Sequence, residues 1–114
     1  MELHNDKRTG WKAQTDYELG VGVTLEIVTR KTYSGDLEST AKVWKVKPNG
    51  IKSHGFGIGD DSYGDFSKTV IKSKDRCTEK NVRVQHGTAE AQAELLKAEA
   101  LAFYARKAKQ TEAA

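Results

Sequence analysis

The hydrophobic period of this chain changes once, from two residues to between three and four, and that change confines the fold. From Trp11 the residues alternate: Trp11, Ala13, Thr15, Tyr17 and Leu19 on one side, Lys12, Gln14, Asp16 and Glu18 on the other. A strand with one buried face requires this pattern. After "GVG" the alternation resumes, with Val21, Val23, Leu25 and Ile27 opposed to Thr24, Glu26 and Arg30. Gly20 and Gly22 suit a tight reversal, so the two segments read as a hairpin. From Thr88 the sequence becomes "TAEAQAELLKAEALAFYARKAK", built from the strongest helix formers. Ala91, Leu95, Ala98, Ala102 and Ala105 recur at helical spacing with Leu101 beside them, and Leu96, Ala100 and Phe103 form a second stripe. Strands first and helix last predict an α+β fold: an antiparallel sheet of four to five strands packed against one long C-terminal helix.

Acidic Glu90, Glu94 and Glu99 in the first part of that helix, with Arg106, Lys107 and Lys109 at its end, match the macrodipole. Thr88 could cap it, with "NVRVQH" as a short strand before. The periodicity runs back through Val84, however, and "DRCTEK" carries turn and cap residues, which favours a helix beginning after Thr78 despite Gly87. Two apolar stripes on one helix imply burial on two sides, against the sheet and against a second copy or another protein.

The middle of the chain, "TAKVWKVKPNGIKSHGFGI", holds an Asn49-Gly50 pair, the strongest short hairpin signal, because a two-residue type I′ turn needs both central residues at positive φ. Counting out from that turn sets Lys47 against Lys52, Lys45 against His54, Val43 against Phe56 and Ala41 against Ile58. On the other face Trp44 meets Gly55 and Lys42 meets Gly57. In "DFSKTVIKSK" a further strand is expected at a sheet edge, with Val70 and Ile71 on opposite faces and Lys68, Lys72 and Lys74 sharing the face of Phe66 and Val70. The expected strands are 11–19, 22–32, 39–48, 51–58 and 66–73.

A chain of 114 residues fits a single domain, here 11–109, with 1–10 as a flexible arm and 110–114 as a frayed end. No apolar run is long enough to span a bilayer, and the first residues do not read as a signal peptide. A cytoplasmic protein with no membrane association is therefore expected. The lone Cys77 agrees with a reducing compartment.

Several chemistries find little support. Gly55, Gly57 and Gly59 follow a strand, but a phosphate loop needs a helix opening straight after, and Asp60-Asp61 come instead. Asp60, Asp61 and Asp65 lack the spacing of a calcium loop and read as turn residues. His4, His54 and His86 are scattered, so no metal is expected, and no catalytic residue or cofactor is indicated. Between Lys42 and Arg83 ten Lys/Arg face five Asp/Glu, a field that suits a polyanion. Trp44 with Lys42, Lys45, Lys47 and Lys52 would offer base stacking beside phosphate neutralisation. The expectation is a small non-enzymatic accessory protein binding nucleic acid through this hairpin. The alternative is a protein-interaction or homodimerisation module acting through Leu96 and Phe103 of the helix.

Overall fold

A computed structural model of the chain describes residues 1–20, 23–46, 52–54 and 66–113. Six strands, β1 (Glu2–Asp6), β2 (Gly10–Gly20), β3 (Val23–Lys31), β4 (Leu37–Val46), β5 (Lys52–His54) and β6 (Ser67–Ser73), are followed by helices α1 (Glu79–Glu90) and α2 (Ala93–Ala113). All pairings are antiparallel, in the order β1-β2-β3-β4-β5, with β6 also paired to β4. The α+β reading holds. The C-terminal region is two helices rather than one, and the strands among the described residues number six.

β3 occupies one edge of β4 from Leu37 to Lys45. The other edge is divided: β5 pairs with Trp44–Val46, and β6 with residues from Leu37 to Lys42. This division corrects the expected hairpin. Trp44 stands opposite His54, Lys45 opposite Ser53 and Val46 opposite Lys52, one residue away from the register that a two-residue Asn49-Gly50 turn dictates. That turn itself lies outside the described residues, as do Gly55 to Asp65. In the place beside Val43 that the turn assigns to Phe56, the Val43 amide donates to the Phe66 carbonyl at 3.2 Å, and Ala41 and Lys42 face Lys68 and Ser67.

Among the described strands β6 pairs with β4 alone, in keeping with the edge position its lysines suggest, but its register shifts between Ser39 and Thr40. An extra residue in a strand swings the side chains beyond it toward the other face. Val70 and Ile71 consequently both pack on the core cluster instead of on opposite faces, and Lys68 and Lys72 part company. Lys68 reaches Glu99 of α2 at 2.9 Å, whereas Lys72 and Lys74 reach Asp36, at 3.4 and 2.6 Å.

Residues 2–6, expected within an arm, form β1 and pair with β2, setting Leu3 beside Ala13. Leu3 joins Ala13, Leu37 and Val82 in a small cluster with Trp11 and Cys77, one apolar residue being all that alternation could show. The β1–β2 turn is organised by Asp6, whose Oδ1 accepts from the Arg8 amide at 2.7 Å and the Thr9 amide at 3.2 Å. Gly10, at φ 85°, closes it. A side chain there would also press on the Cys77 sulfur, 3.3 Å from the position of an added Cβ.

Odd-numbered residues of β2, β3 and β4 face the helices. Leu25, Ile27, Ala41 and Val43 meet Ala89, Ala93, Leu96, Ala100 and Tyr104 in the main core. α1 starts at Thr78, whose hydroxyl accepts from the Asn81 amide, a normal N-cap. It ends at Ala91, where the Gln92 amide bonds back only three residues, to the Ala89 carbonyl. Val82, His86, Ala89, Ala93, Leu96, Ala100 and Tyr104 keep one continuous stripe through this break, so periodicity does not reveal it.

α1 is also tied to the sheet by a buried polar chain. Thr15 Oγ1 donates to Glu90 Oε2 at 2.9 Å. Its one proton is thereby committed, and it accepts from His86 Nε2 at 2.8 Å. His86 is fully buried, and burial lowers its pKa against the opposing pull of Glu90, so the ring is neutral and protonated at Nε2. Its Nδ1 then accepts from Thr29 Oγ1 at 2.8 Å, and Thr29 accepts from Ser39 at 2.6 Å. Gln85 Nε2 completes the run, donating to Ser39 Oγ at 3.3 Å and to the Leu37 carbonyl at 3.0 Å. From Ser39 onward every proton of the chain points one way, toward Glu90.

Candidate nucleic-acid interface on the open face of the sheet

Even-numbered residues of β2, β3 and β4 project from the face opposite the described helices, because side chains alternate along a strand. The pairing registers arrange them in rows. His4, Lys12, Arg30, Glu38 and Lys72 form one. Gln14, Val28, Thr40 and Thr69 form the next, then Asp16, Glu26, Lys42 and Ser67. Glu18, Thr24 and Trp44 form the last, with His54 opposite Trp44. Rows two residues apart along a strand are about 6.6 Å apart.

Lys42 and Trp44 therefore stand next to each other on this face. Trp44 is half-buried, with its indole nitrogen out of solvent, and its side of the sheet is set by pairing with Thr24 rather than by the turn beyond it. The remaining expected contacts do not join them. Lys45 is exposed but belongs to the side of β4 that carries Val43. Lys47 lies outside the described residues, and Lys52 is opposite Val46 at the end of β5.

Lys12 and Arg30 are cations of this face that the sequence does not single out. Alternation puts them on the polar face of their strands, but only the register shows that they fall in one row. Beside them lies a cavity of about 570 Å³. Lys12, Arg30, Thr40, Lys42 and Thr69 line its floor, the β1–β2 turn supplies Asp6 and Thr9, and the β3–β4 turn supplies Thr32 and Tyr33. The Tyr33 ring is wholly exposed at the rim. The Asp6 carboxylate is turned to the backbone of its own turn, and the Arg8 and Thr9 amides hold its pKa below the ordinary value.

Charge on this face is uneven. Asp16, Glu18 and Glu26 gather toward the β2–β3 reversal, where Gln14 Nε2 donates to Asp16 at 3.2 Å and Glu26 at 3.1 Å. Lys12, Arg30 and Lys72 share the opposite end with Glu38, and Lys42 of β4 stands opposite Glu26.

The helix stripes also sort differently from expectation. Leu96 is fully buried in the chain's own core, and Phe103 is half-buried, its ring edge-on to Phe66 and Tyr104 at centroid distances of 5.7 and 5.0 Å. Leu96 thus packs inward, and Phe103 keeps part of its surface exposed. The other stripe is the exposed one, with Leu95 and Leu101 each more than half accessible.

Among the described residues no three His, Cys, Asp or Glu side chains converge to hold a metal ion, and no helix is long and apolar enough to cross a membrane. No family model matches the chain, and no curated protein or solved structure matches it either.

Proposed function

We propose that this protein binds nucleic acid, holding a single strand along β4 on the sheet face opposite the described helices. The observation that carries this reading is the adjacency of Lys42 and Trp44 on that face, beside a cavity with Lys12 and Arg30 in its floor. An aromatic ring offers about 1 to 3 kcal/mol of stacking per base, whatever the base. Cations spaced along the same track neutralise phosphates. The proposed role is that of a non-enzymatic accessory protein.

Fluorescence anisotropy with labelled oligothymidylate tests it. Three to four neutralised phosphates predict that log K falls with log salt at a slope of roughly −2 to −3. Trp44→Ala should weaken binding by about tenfold or more. Absence of binding at low salt, or a Trp44→Ala protein that binds as wild type does, ends the proposal.

The exposed stripe of Ala91, Leu95, Leu101 and Ala102 supports a second reading, self-association through α2. Light scattering should then give a dimer mass that Leu95→Glu abolishes. A monomer at every concentration rejects it.

A further inference from the structure

Resting on the reading of the open face as a nucleic-acid interface, we infer that the cavity between the β1–β2 and β3–β4 turns is the seat of a strand's terminal phosphomonoester. Three cations of this sheet face, Lys12, Arg30 and Lys42, line it against two carboxylates, Asp6 and Glu38, while Lys31 of the same lining belongs by register to the other face. Asp6 already accepts two backbone N–H bonds within its turn. Glu38 is placed by register between Arg30 and Lys72, and since Lys72 reaches Asp36, Glu38 offsets one cation of the lining. The balance left over is positive and suits a dianion, which a terminal phosphate carries and an internal diester does not. Hydroxyls of Thr9, Thr40 and Thr69 in the same lining can donate to the remaining phosphate oxygens.

The position in the fold argues for an end rather than a passing strand. Both turns sit at the same end of the sheet and wall the cavity there. A strand laid along β4 over Trp44 and Lys42 runs into these walls within about three rows, roughly 20 Å. It must stop, and its terminal phosphate stops among the cations. The same phosphomonoester chemistry occurs on free nucleotides and sugar phosphates, so the experiment has to separate the two sources.

Anisotropy is measured with one internally labelled oligothymidylate bearing a 5′-phosphate, a 3′-phosphate or only hydroxyl ends. One of the phosphorylated strands is expected to bind about tenfold tighter than the hydroxyl-ended strand. Arg30→Gln and Lys12→Gln should each remove that preference, while Trp44→Ala should weaken all three strands alike. In parallel, ribose 5-phosphate, with ribose as control, is titrated into the ¹⁵N-labelled protein and should shift the amides of Thr9, Arg30, Thr40 and Thr69. Equal affinity for all three strands overturns the terminal-phosphate pocket and leaves strand binding intact. If no strand binds but ribose 5-phosphate shifts the cavity amides, the strand-binding function falls, and with it the terminal seat, the cavity then being a site for free phosphomonoesters. Silence in both measurements overturns both.

Discussion

Replacing Thr29 by valine removes one hydroxyl and almost no volume, so it tests the buried polar chain without opening a cavity. The Thr29 hydroxyl donates to His86 Nδ1 and accepts from Ser39, at 2.8 and 2.6 Å, and all three residues are fully buried. After substitution Nδ1 loses its donor and the Ser39 hydroxyl loses its acceptor. Changing the His86 tautomer does not help, because an Nδ1 proton would have nothing to bind and Thr15 would lose the bond from Nε2. Each buried, unsatisfied group costs about 1 to 3 kcal/mol, so a loss of about 3 kcal/mol is expected. With an m-value of roughly 2 kcal/mol/M in urea, the unfolding midpoint at pH 8 should fall by about 1.5 M. Ser39→Ala removes one of the two orphaned groups in advance, so Thr29→Val should cost about 1 kcal/mol less in that background. A Thr29→Val protein within ~0.5 kcal/mol of wild type would refute the unidirectional chain and the tautomer drawn from it.

The same residue sets a pH dependence. His86 is held below its ordinary value of 6.5 by burial, so between the folded pKa and 6.5 the unfolded chain binds the extra proton. Its contribution is complete above 6.5 and declines as pH falls, and a His86→Gln variant should show a flatter urea midpoint across roughly pH 8 to pH 5, the range in which histidine titrates. Leu96→Ala should cost about 2 to 5 kcal/mol because the side chain is wholly buried, while Leu95→Ala, on the exposed stripe, should stay within ~0.5 kcal/mol; equal losses in urea titrations would mean that α2 is rotated. Tyr104→Phe removes the hydroxyl that accepts from the Phe66 amide at 2.9 Å, and should cost about 1 to 2 kcal/mol and speed hydrogen exchange at Phe66.

Alternation and helix propensity carry much of the architecture. Trp11 to Leu19 and Leu25 to Ile27 show their buried faces in the sequence itself, because a half-covered strand repeats every two residues, and Thr78 announces the helix start by its capping chemistry. The features that stay hidden depend on distant partners. Leu3 is a single apolar residue, too little to mark β1 as a strand. The sharing of the β4 edge between β5 and β6 is a competition among segments, and Phe66 takes the place beside Val43 that counting from a turn assigns elsewhere. The break at Ala91 and Gln92 keeps the helical phase. For the site, Lys42 and Trp44 are legible as neighbours on one strand, two residues apart. Lys12 and Arg30 reach the same surface only through the three-strand register, which no local pattern encodes.

The order of elements has a kinetic consequence. β2, β3 and β4 are joined by short reversals and can zip together early through contacts close in sequence, whereas the apolar side of that meander is covered by α1 and α2, which come after every strand. Until they dock, Leu25, Ile27 and Val43 lie bare on a nascent sheet. Refolding should therefore show a collapsed, dye-binding species that disappears when the helices land, and a chain shortened before residue 79 should precipitate rather than stay dispersed.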